Sequence, residues 1–234
     1  MRPLVFLHGW AASGAVWRRQ EEAFAGEFRV LSPDLPTWDP GRLAAYLQDL
    51  PLKDAVLVGW SLGAMVLLEG LASLAEKPGA LMLVGVAGAF CRRPDQPFGQ
   101  EAAVVRAMRR ALAADPARVL KDFARRCLAP GEEDFREEAE AMFAPNMPVA
   151  HLAQGLDYLL QKDLRGLLPG VEGRVAVVQG EADAIVPPDQ GRLLAGRIQG
   201  SRLFLLPGAG HLPFLTRGRE FNEILRGFLQ ETAF

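Results

Sequence analysis

Short apolar runs alternate with helical patterns over the first part of the chain. The four runs are PLVFLHG (3–9), FRVLSPD (28–34), AVLVGW (55–60) and ALMLVGVAG (80–88). Helical patterns lie between them, near 16–25, 40–49 and 62–76. Apolar runs of this length that alternate with helices are typical of parallel strands buried on both faces.

The same pattern resumes in the last third of the chain. Two further runs, RVAVVQGEAD (174–183) and SRLFLLPGAGH (201–211), flank a helical stretch at 187–198, and a closing helix follows near 218–231. The sequence therefore predicts an α/β fold whose mostly parallel sheet has about six strands, with helices on both faces.

The interval 89–168 carries no strand signal and breaks into four helical candidates. These are 100–114, 116–128, 132–144 and 148–162. Asp115 and Pro116 favour a helix start, because aspartate caps a helix and proline fits its first turn. We expect residues 1–88 and 169–234 to form the core and residues 89–168 to form a four-helix lid inserted into it.

The inner face of this predicted lid has five apolar candidates. They are Met142, Phe143, Leu152, Leu156 and Leu159. A lid over the sheet edge would use such side chains to exclude water from a site beneath it. They could equally pack the core of the lid itself.

Composition excludes several classes of protein. The 234 residues are 50% hydrophobic with a formal charge of −2, so the chain has no basic field that would attract nucleic acid or an anionic membrane. The apolar run within the start MRPLVFLHGW is too short for a signal peptide. Cys91 and Cys127 are too few for a disulfide scaffold or a four-ligand zinc site. We expect reduced thiols and a cytoplasmic protein.

The stretch VLVGWSLGAMVLL places one serine between two glycines where a strand pattern meets a helix pattern. Gly59-Trp60-Ser61-Leu62-Gly63 fits the G-x-S-x-G pattern, in which a serine is exposed on a sharp strand-to-helix turn at the sheet edge. The alternative is a structural turn that contains a serine. The apolar runs on both sides favour a nucleophile at Ser61.

A serine hydroxyl needs a base to take its proton, and the chain has three histidines. His211 lies in a glycine-rich loop just past the last strand run, where its ring can be aimed freely. His8 directly follows the first strand and is expected to hold the backbone of its own loop. His151 lies in a helical part of the lid. We assign the base to His211.

An acid must orient that base, and the stretch after the fifth run offers Glu181, Asp183 and Asp189. Asp183 lies just past the strand end, where its carboxylate can reach a neighbouring loop. Glu181 is the competing candidate, and Asp189 is expected at the start of the next helix. The order Ser61, Asp183, His211 matches the Ser, Asp/Glu, His order of one architecture.

When a nucleophile attacks an ester, negative charge develops on the carbonyl oxygen, and two N–H donors are needed to stabilise it. Leu62 follows the nucleophile at a helix start, and Trp10 lies in the loop after the first strand, so their backbone amides are the candidates. The indoles of Trp10 and Trp60 could also line a substrate pocket. For Trp60, packing is an equal alternative.

Several motifs together resemble the α/β-hydrolase superfamily over nearly the whole chain. They are LHGW, SPDLP, GWSLG, GEADAIVP and GAGHLPF. The resemblance implies an α/β-hydrolase fold with Ser61 as nucleophile, Asp183 as acid and His211 as base. It also implies oxyanion donors at Trp10 and Leu62.

Longer stretches are similar to bacterial pimeloyl-acyl-carrier-protein methyl ester esterases of biotin synthesis. They are FLHGWAASGAVW, LVGWSLGAMV, GLDYLLQKDLRGLLPGV and GHLPFLTRGREF. This resemblance implies a carrier-bound acyl ester as substrate and an acyl carrier protein as a partner. In that group, arginines of the helical insertion hold the acidic partner.

Charge is unevenly spread over the predicted lid. Residues 89–126 hold nine cations against four acids, whereas 127–165 hold three against eight. The nine cations are Arg92, Arg93, Arg106, Arg109, Arg110, Arg118, Lys121, Arg125 and Arg126. They could form a solvated surface paired with the acidic stretch 132–140, or they could hold an acidic substrate or the acidic surface of a carrier protein.

The sequence thus predicts a serine carboxylesterase that forms an acyl-enzyme and needs no metal or organic cofactor. Its substrate is expected to be a small-molecule or carrier-bound acyl ester, with no nucleic acid or membrane partner. The alternatives are a general short-chain carboxylesterase, a lyase or carbon–carbon hydrolase on the same fold, and a ligand-binding protein on this scaffold.

Overall fold

A single six-stranded sheet forms the centre of the molecule. The computed structural model describes residues 1–143 and 147–231. All strand pairs are parallel, in the order β2-β1-β3-β4-β5-β6. The strands are β1 (Pro3–Leu7), β2 (Arg29–Leu31), β3 (Val56–Trp60), β4 (Ala80–Val84), β5 (Arg174–Gly180) and β6 (Arg202–Leu206). The predicted parallel sheet of six strands is confirmed.

The central strands are covered on both faces. Every residue of β1, β3 and β4 is buried, and only Arg174 of β5 is exposed. Because successive side chains of a strand point to opposite faces, complete burial means that helices pack on both sides. Five of the six strands end earlier than the apolar runs that predicted them, whereas β3 ends with its run at Trp60. The remaining residues of those five runs form loops at the carboxyl edge of the sheet.

Six α-helices belong to the described part of the predicted core segments. They are α1 (Arg18–Phe24), α2 (Pro40–Gln48), α3 (Ser61–Leu71), α8 (Pro188–Arg197), α9 (Pro213–Thr216) and α10 (Gly218–Glu231). The short helix α9 was not predicted, and the helix predicted at 62–76 begins at Ser61 and ends at Leu71. Asp39 caps α2, since its carboxylate accepts hydrogen bonds from two backbone amides of the first turn.

Among the described residues between β4 and β5 there are four α-helices. They are α4 (Ala102–Ala111), α5 (Pro116–Arg126), α6 (Arg136–Met142) and α7 (Val149–Gln161). Asp115 caps α5 by accepting a hydrogen bond from the Arg118 amide. Helix α4 packs on α7, and α5 packs on α6.

Parts of three predicted segments lie outside the described residues. These are residues 144–146 of the segment 89–168, residue 144 of the predicted helix 132–144, and residues 232–234 of the predicted core. The described part of 132–144 forms a 3-10 turn, Glu133–Phe135, followed by α6. Over residues 1–143 and 147–231, no helix combines the length and apolar character needed to cross a membrane.

The two glycines of the G-x-S-x-G turn lie where backbones meet. A Cβ atom added at Gly63 would fall 2.1 Å from the carbonyl oxygen of His8, and one added at Gly59 would fall 2.8 Å from Cα of Ala64. Both contacts are with atoms that cannot rotate away. Only glycine therefore lets α3 lie directly on β1 and β3.

We expect Gly63→Ala to lower the free energy of unfolding by about 1–3 kcal/mol or more, because the added methyl group must push α3 away from the His8 carbonyl. Chemical denaturation followed by circular dichroism measures this change.

Gly227→Ala is the matched control. Gly227 lies inside α10, and nothing stands within 4 Å of a Cβ added there. Alanine in this helix should stabilise the protein by about 0.5–1 kcal/mol. Equal effects of the two substitutions would contradict the packing argument.

Candidate active site

Ser61 occupies the sharp bend between β3 and α3. Its backbone φ is +54°, a left-handed conformation that is unfavourable for a residue with a side chain. The residue is buried and is 9% exposed. A strained residue on a sharp turn at the sheet edge is typical of functional sites.

The loops after β5 and β6 bring two further predicted residues to Ser61. His211 Nε2 lies 2.9 Å from Ser61 Oγ, and His211 Nδ1 lies 2.7 Å from Asp183 Oδ2. The side chains of His211 and Asp183 are fully buried. Because an ionised carboxylate only accepts hydrogen bonds, Nδ1 carries the proton, and Nε2 is free to accept the proton of the Ser61 hydroxyl.

Within the described residues, the carboxylate of Asp183 accepts four hydrogen bonds. Its Oδ1 accepts from the amides of Ile185 and Val186 at 2.8 Å each. Its Oδ2 accepts from Gln179 Nε2 at 3.1 Å as well as from His211. Donors on both oxygens stabilise a buried negative charge and fix its direction.

Sequence reasoning missed Gln179, although a signal was present. It is the one polar side chain at a buried position of β5, and its amide also donates to the carbonyl of Val186 at 2.9 Å. A polar residue inside an otherwise apolar strand indicates a specific hydrogen-bond partner. Gln179 therefore fixes both the acid and the loop that carries it.

The other two acid candidates face elsewhere. Glu181 is exposed and pairs with Arg192 at 3.9 Å. Asp189 lies in the first turn of α8 and pairs with the same arginine at 3.7 Å. Of the three candidates, Asp183 is the one hydrogen-bonded to His211.

Backbone contacts fix the His211 loop from several sides. The His211 carbonyl accepts a hydrogen bond from Trp60 Nε1 at 3.0 Å, and the His211 amide donates to the carbonyl of Cys127 at 2.7 Å. Behind the ring lies Gly85, whose φ is +51°; a Cβ there would fall 3.1 Å from the imidazole. The imidazole thus has little room to turn.

The loop after β1 lies against the nucleophile turn. A Cβ at Gly9 would fall 3.1 Å from Cβ of Ser61. Leu62 is the second residue of α3, where backbone amides have no partner within the helix. Trp10 follows Gly9. The oxyanion roles of the Trp10 and Leu62 amides stay predictions.

The remaining histidines bind other groups. His8 is buried; its Nδ1 donates to the carbonyl of Gly9, and its Nε2 accepts from the Leu35 amide, both at 2.9 Å. Burial lowers the pKa of His8 to about 4, so its ring is neutral. His151 stacks on Trp38, with ring centroids 5.0 Å apart. As expected, His8 holds the backbone of its own loop.

A narrow, mainly apolar cavity opens beside Ser61. Its lining consists of Trp10, Phe90, Gln100, Val104, Val105, Met108, Phe123, Arg126, Leu156, Leu159 and Ile185. Most of these side chains come from α4, α5 and α7. Arg126 is the one charged side chain of the described lining, and its Nη2 lies 3.3 Å from Gln100 Oε1.

The five apolar lid candidates take different positions. Leu156 and Leu159 line the cavity. Phe143 packs edge-on against Phe123, and Leu152 is buried. Met142 lies instead in a groove beside Arg18 and Arg19.

Trp60 does not lie on the described lining of the cavity. Its ring is 1% exposed and packs on Phe214 and Phe143, while its indole N–H binds the His211 carbonyl. The structure therefore favours the packing alternative for this residue.

The indoles of two tryptophans anchor helix α7 through hydrogen bonds to its backbone carbonyls. Trp10 Nε1 donates to the carbonyl of Leu152 at 2.8 Å, and Trp38 Nε1 donates to that of His151 at 3.2 Å. A Cβ at Gly155 would fall 2.5 Å from the Trp10 ring. The helix thus rests directly on the loop that follows β1.

Five of the nine cations in residues 89–126 have a carboxylate partner. The pairs are Arg92 with Glu101, Arg109 with Asp157, Arg118 with Asp122, and both Lys121 and Arg125 with Glu140. Arg93 binds the last carbonyls of α7. Within the described part of the chain, Arg106, Arg110 and Arg126 have no carboxylate partner.

Neither cysteine is bridged. Both thiols are buried, and burial raises their pKa, that of Cys127 strongly. Over the described ranges, no group of three or more His, Cys, Asp or Glu side chains is arranged to hold a metal ion.

Comparison with known proteins places this geometry in a wider context. A profile of the alpha/beta hydrolase family matches residues 4–224. The pimeloyl-[acyl-carrier protein] methyl ester esterase of Aromatoleum aromaticum is 31% identical over 250 residues, which cover 96% of this chain and 98% of the relative.

Solved structures share the fold at lower identity. An esterase from Exiguobacterium antarcticum matches with a TM-score of 0.90 at 24% identity, covering 98% of this chain and 92% of the other. A bromoperoxidase from Bacillus anthracis matches with a TM-score of 0.88 at 24% identity and the same coverage. The two names differ, so the fold by itself does not fix the chemistry.

The lowered pKa of His8 predicts acid sensitivity. Between pH 6.5 and about 4, the unfolded chain binds a proton at His8 that the folded chain does not, so stability falls as pH drops through this window. Between pH 7.5 and pH 5 the loss should be about 2 kcal/mol. Denaturant unfolding at both pH values measures it, and His8→Asn should remove most of this difference. A pH dependence unchanged in His8→Asn would assign the effect to other groups.

Proposed function

Because the chain belongs to the alpha/beta hydrolase family, we propose that it is a carboxylic ester hydrolase with Ser61 as nucleophile, His211 as general base and Asp183 as the acid that orients it. The observation that carries the proposal is the hydrogen-bonded series from Ser61 through His211 to Asp183. The reaction so proposed uses no metal and no organic cofactor.

In the first half of the reaction, Ser61 Oγ attacks the ester carbonyl carbon while His211 Nε2 takes the hydroxyl proton. The carbonyl oxygen becomes negatively charged and accepts hydrogen bonds from the amides of Trp10 and Leu62. The bond to the alcohol oxygen then breaks, and His211 returns its proton to the departing alcohol. The acyl group remains on Ser61.

In the second half, a water molecule gives its proton to His211 Nε2 and attacks the acyl carbon. Collapse of this intermediate breaks the bond to Ser61 Oγ, which regains the proton from His211. A free carboxylic acid leaves. Throughout, Asp183 keeps Nδ1 protonated and stabilises the imidazolium that forms in each half.

The substrate we propose is a carrier-bound acyl ester, of the kind named for the relative from Aromatoleum aromaticum. An aliphatic acyl chain suits the cavity beside Ser61, which α4, α5 and α7 line mainly with apolar side chains. We propose that residues 89–168 act as a lid that shields the acyl-enzyme from water. The cytoplasmic location stays a prediction.

An acidic carrier would have exposed cations available on this lid. Arg106 and Arg110 lie one turn apart on α4, both exposed, and Arg126 lies on the cavity lining. Guanidinium groups without a carboxylate partner can bind the carboxylates or phosphate of a carrier without first breaking an ion pair. We propose that these three arginines hold the acidic partner.

Ser61→Ala and His211→Ala should each lower turnover by about 10⁴-fold or more, because each removes a group that forms or breaks a bond. Hydrolysis of a chromogenic butyrate ester measures turnover, and thermal melting shows that the variants fold. A fluorophosphonate should label wild-type protein at Ser61, and labelling that persists in Ser61→Ala would refute the assignment.

Two substitutions test which carboxylate orients His211. Asp183→Asn should cost on the order of 10⁴-fold in turnover, because the amide no longer holds Nδ1 protonated. Glu181→Gln changes an exposed carboxylate two residues away and should leave turnover close to wild type. The reverse result would make Glu181 the acid.

Carrier docking through these arginines predicts a salt effect. For a carrier-bound pimeloyl methyl ester, kcat/KM should fall as ionic strength rises from about 0.01 to 0.15 M, because the Debye length shortens from about 30 to 8 Å. A short neutral ester should show little change.

Arg106→Gln with Arg110→Gln should weaken that salt dependence. Arg118→Gln, an exposed lid arginine already paired with Asp122, is the matched control and should preserve it. Equal salt responses for the two substrates, with no loss in the double variant, would indicate a general short-chain carboxylesterase.

A further inference from the structure

The segment that follows α5 lies directly on the loop that carries His211. We call residues 127–132 the α5–α6 turn. The Cys127 carbonyl of this turn accepts the amide hydrogen of His211 at 2.7 Å, and Glu132 Oε2 accepts that of Gly210 at 3.1 Å. Two successive amides of the loop thus bind two acceptors of the turn.

Glu132 is a buried acid, and its side chain is not available to solvent. The residue is 1% exposed, and the same Oε2 also accepts the Ala129 amide at 2.8 Å, which closes the turn on itself. Its neighbour Glu133 is exposed and accepts the Gly131 amide instead. A carboxylate is costly to bury unless N–H groups bind it, so the placement of Glu132 depends on these two donors.

The His211 loop and the α5–α6 turn lie in close contact. A Cβ added at Gly210 would fall 2.4 Å from the Cys127 carbonyl oxygen, 2.7 Å from the Ala129 nitrogen and 2.9 Å from Glu132 Oε2. The backbone of the loop therefore touches the backbone of the turn. A shift of the turn must move Gly210 or break its hydrogen bond.

The loop needs such external support because of its own sequence. Pro207, Gly208, Ala209 and Gly210 join β6 to His211, and glycine has more backbone freedom than any other residue. Two groups of the core, Asp183 and the Trp60 indole, hold His211 itself. Glu132 holds the residue before it, because its carboxylate accepts the Gly210 amide.

We propose that Glu132 is a positioning residue for His211: its carboxylate binds the Gly210 amide and so keeps the imidazole in line with Ser61. The inference rests on the proposed function and extends it, because it makes a side chain from the helical segment between β4 and β5 part of the catalytic arrangement. The turn then has two effects, since it both packs over the core and aligns the base.

Glu132→Ala should lower kcat for short and long esters alike by about 10²-fold, the cost of a displacement of roughly 1 Å in a catalytic group. KM for a short acetate ester should stay near the wild-type value, because such a substrate makes few contacts with the apolar lining of the cavity beside Ser61. The rate of labelling by a fluorophosphonate should fall in parallel, since His211 assists that reaction also.

Glu132→Gln is the conservative variant. Its amide oxygen can accept from both Gly210 and Ala129, so most of the wild-type kcat should return. Glu133→Gln, which changes the exposed neighbour, should match the wild type. Glu69→Gln is the control for anchoring alone, because Glu69 binds Tyr158 and Lys162 and joins α3 to α7.

A purely structural role for Glu132 would give a different pattern. Glu132→Ala would then resemble Glu69→Gln, with a lower melting temperature and a higher KM for long esters but an unchanged kcat for acetate, and this result would overturn the proposal. If Glu132→Ala does not fold, Glu132→Asp must still lose kcat, because its shorter side chain cannot reach Gly210; full activity there would overturn the proposal equally.

The proposed function and the positioning role of Glu132 are refuted by different results. Wild-type protein that neither hydrolyses esters nor reacts with the fluorophosphonate would refute the hydrolase. Wild-type protein that does both, with Glu132→Ala equally active, would refute only the positioning role.

Discussion

The contact between the backbone of α3 and the carbonyl of His8 determines the geometry of the whole sheet edge. Because Gly63 has no side chain, α3 can begin immediately after β3 and lie against β1. Ser61 is then forced into a left-handed conformation beside the loop that follows β1. The cost of that strain is of order 1–3 kcal/mol, and it persists because the buried strand β3 and the buried helix α3 hold the two ends of the turn.

His8 and His211 are both buried, but their rings have different hydrogen-bond partners. The ring nitrogens of His8 hydrogen-bond to two backbone groups, and burial lowers its pKa to about 4, so the ring is neutral. His211 instead faces a carboxylate that is itself held by three further donors. A ring in the first environment can only serve as a fixed hydrogen-bonding group. A ring in the second lies between a carboxylate and the hydroxyl of Ser61.

The sheet could be predicted because strands buried on both faces leave continuous apolar runs, and the positions of Ser61, Asp183 and His211 followed from the ends of those runs. Strand ends were less predictable, since apolar residues continue into buried loops, as after β4. Gln179 was detectable as a polar residue within a strand pattern. Glu132 was not, because in the sequence it is indistinguishable from the exposed Glu133 beside it, and only the fold brings Gly210 to one of them.

The anchoring of α7 by two indoles has a consequence for which substitutions this helix can accept. The two indoles that anchor the helix donate to main-chain carbonyls, at His151 and Leu152, which every amino acid possesses. Positions 151 and 152 therefore carry no requirement for a particular polar side chain in order to keep the anchor. Gly155 is the exception, because a larger residue would meet the Trp10 ring. Helix α7 can thus accumulate substitutions on the face that lines the cavity, and alter the shape of that cavity, while its attachment to the core stays the same.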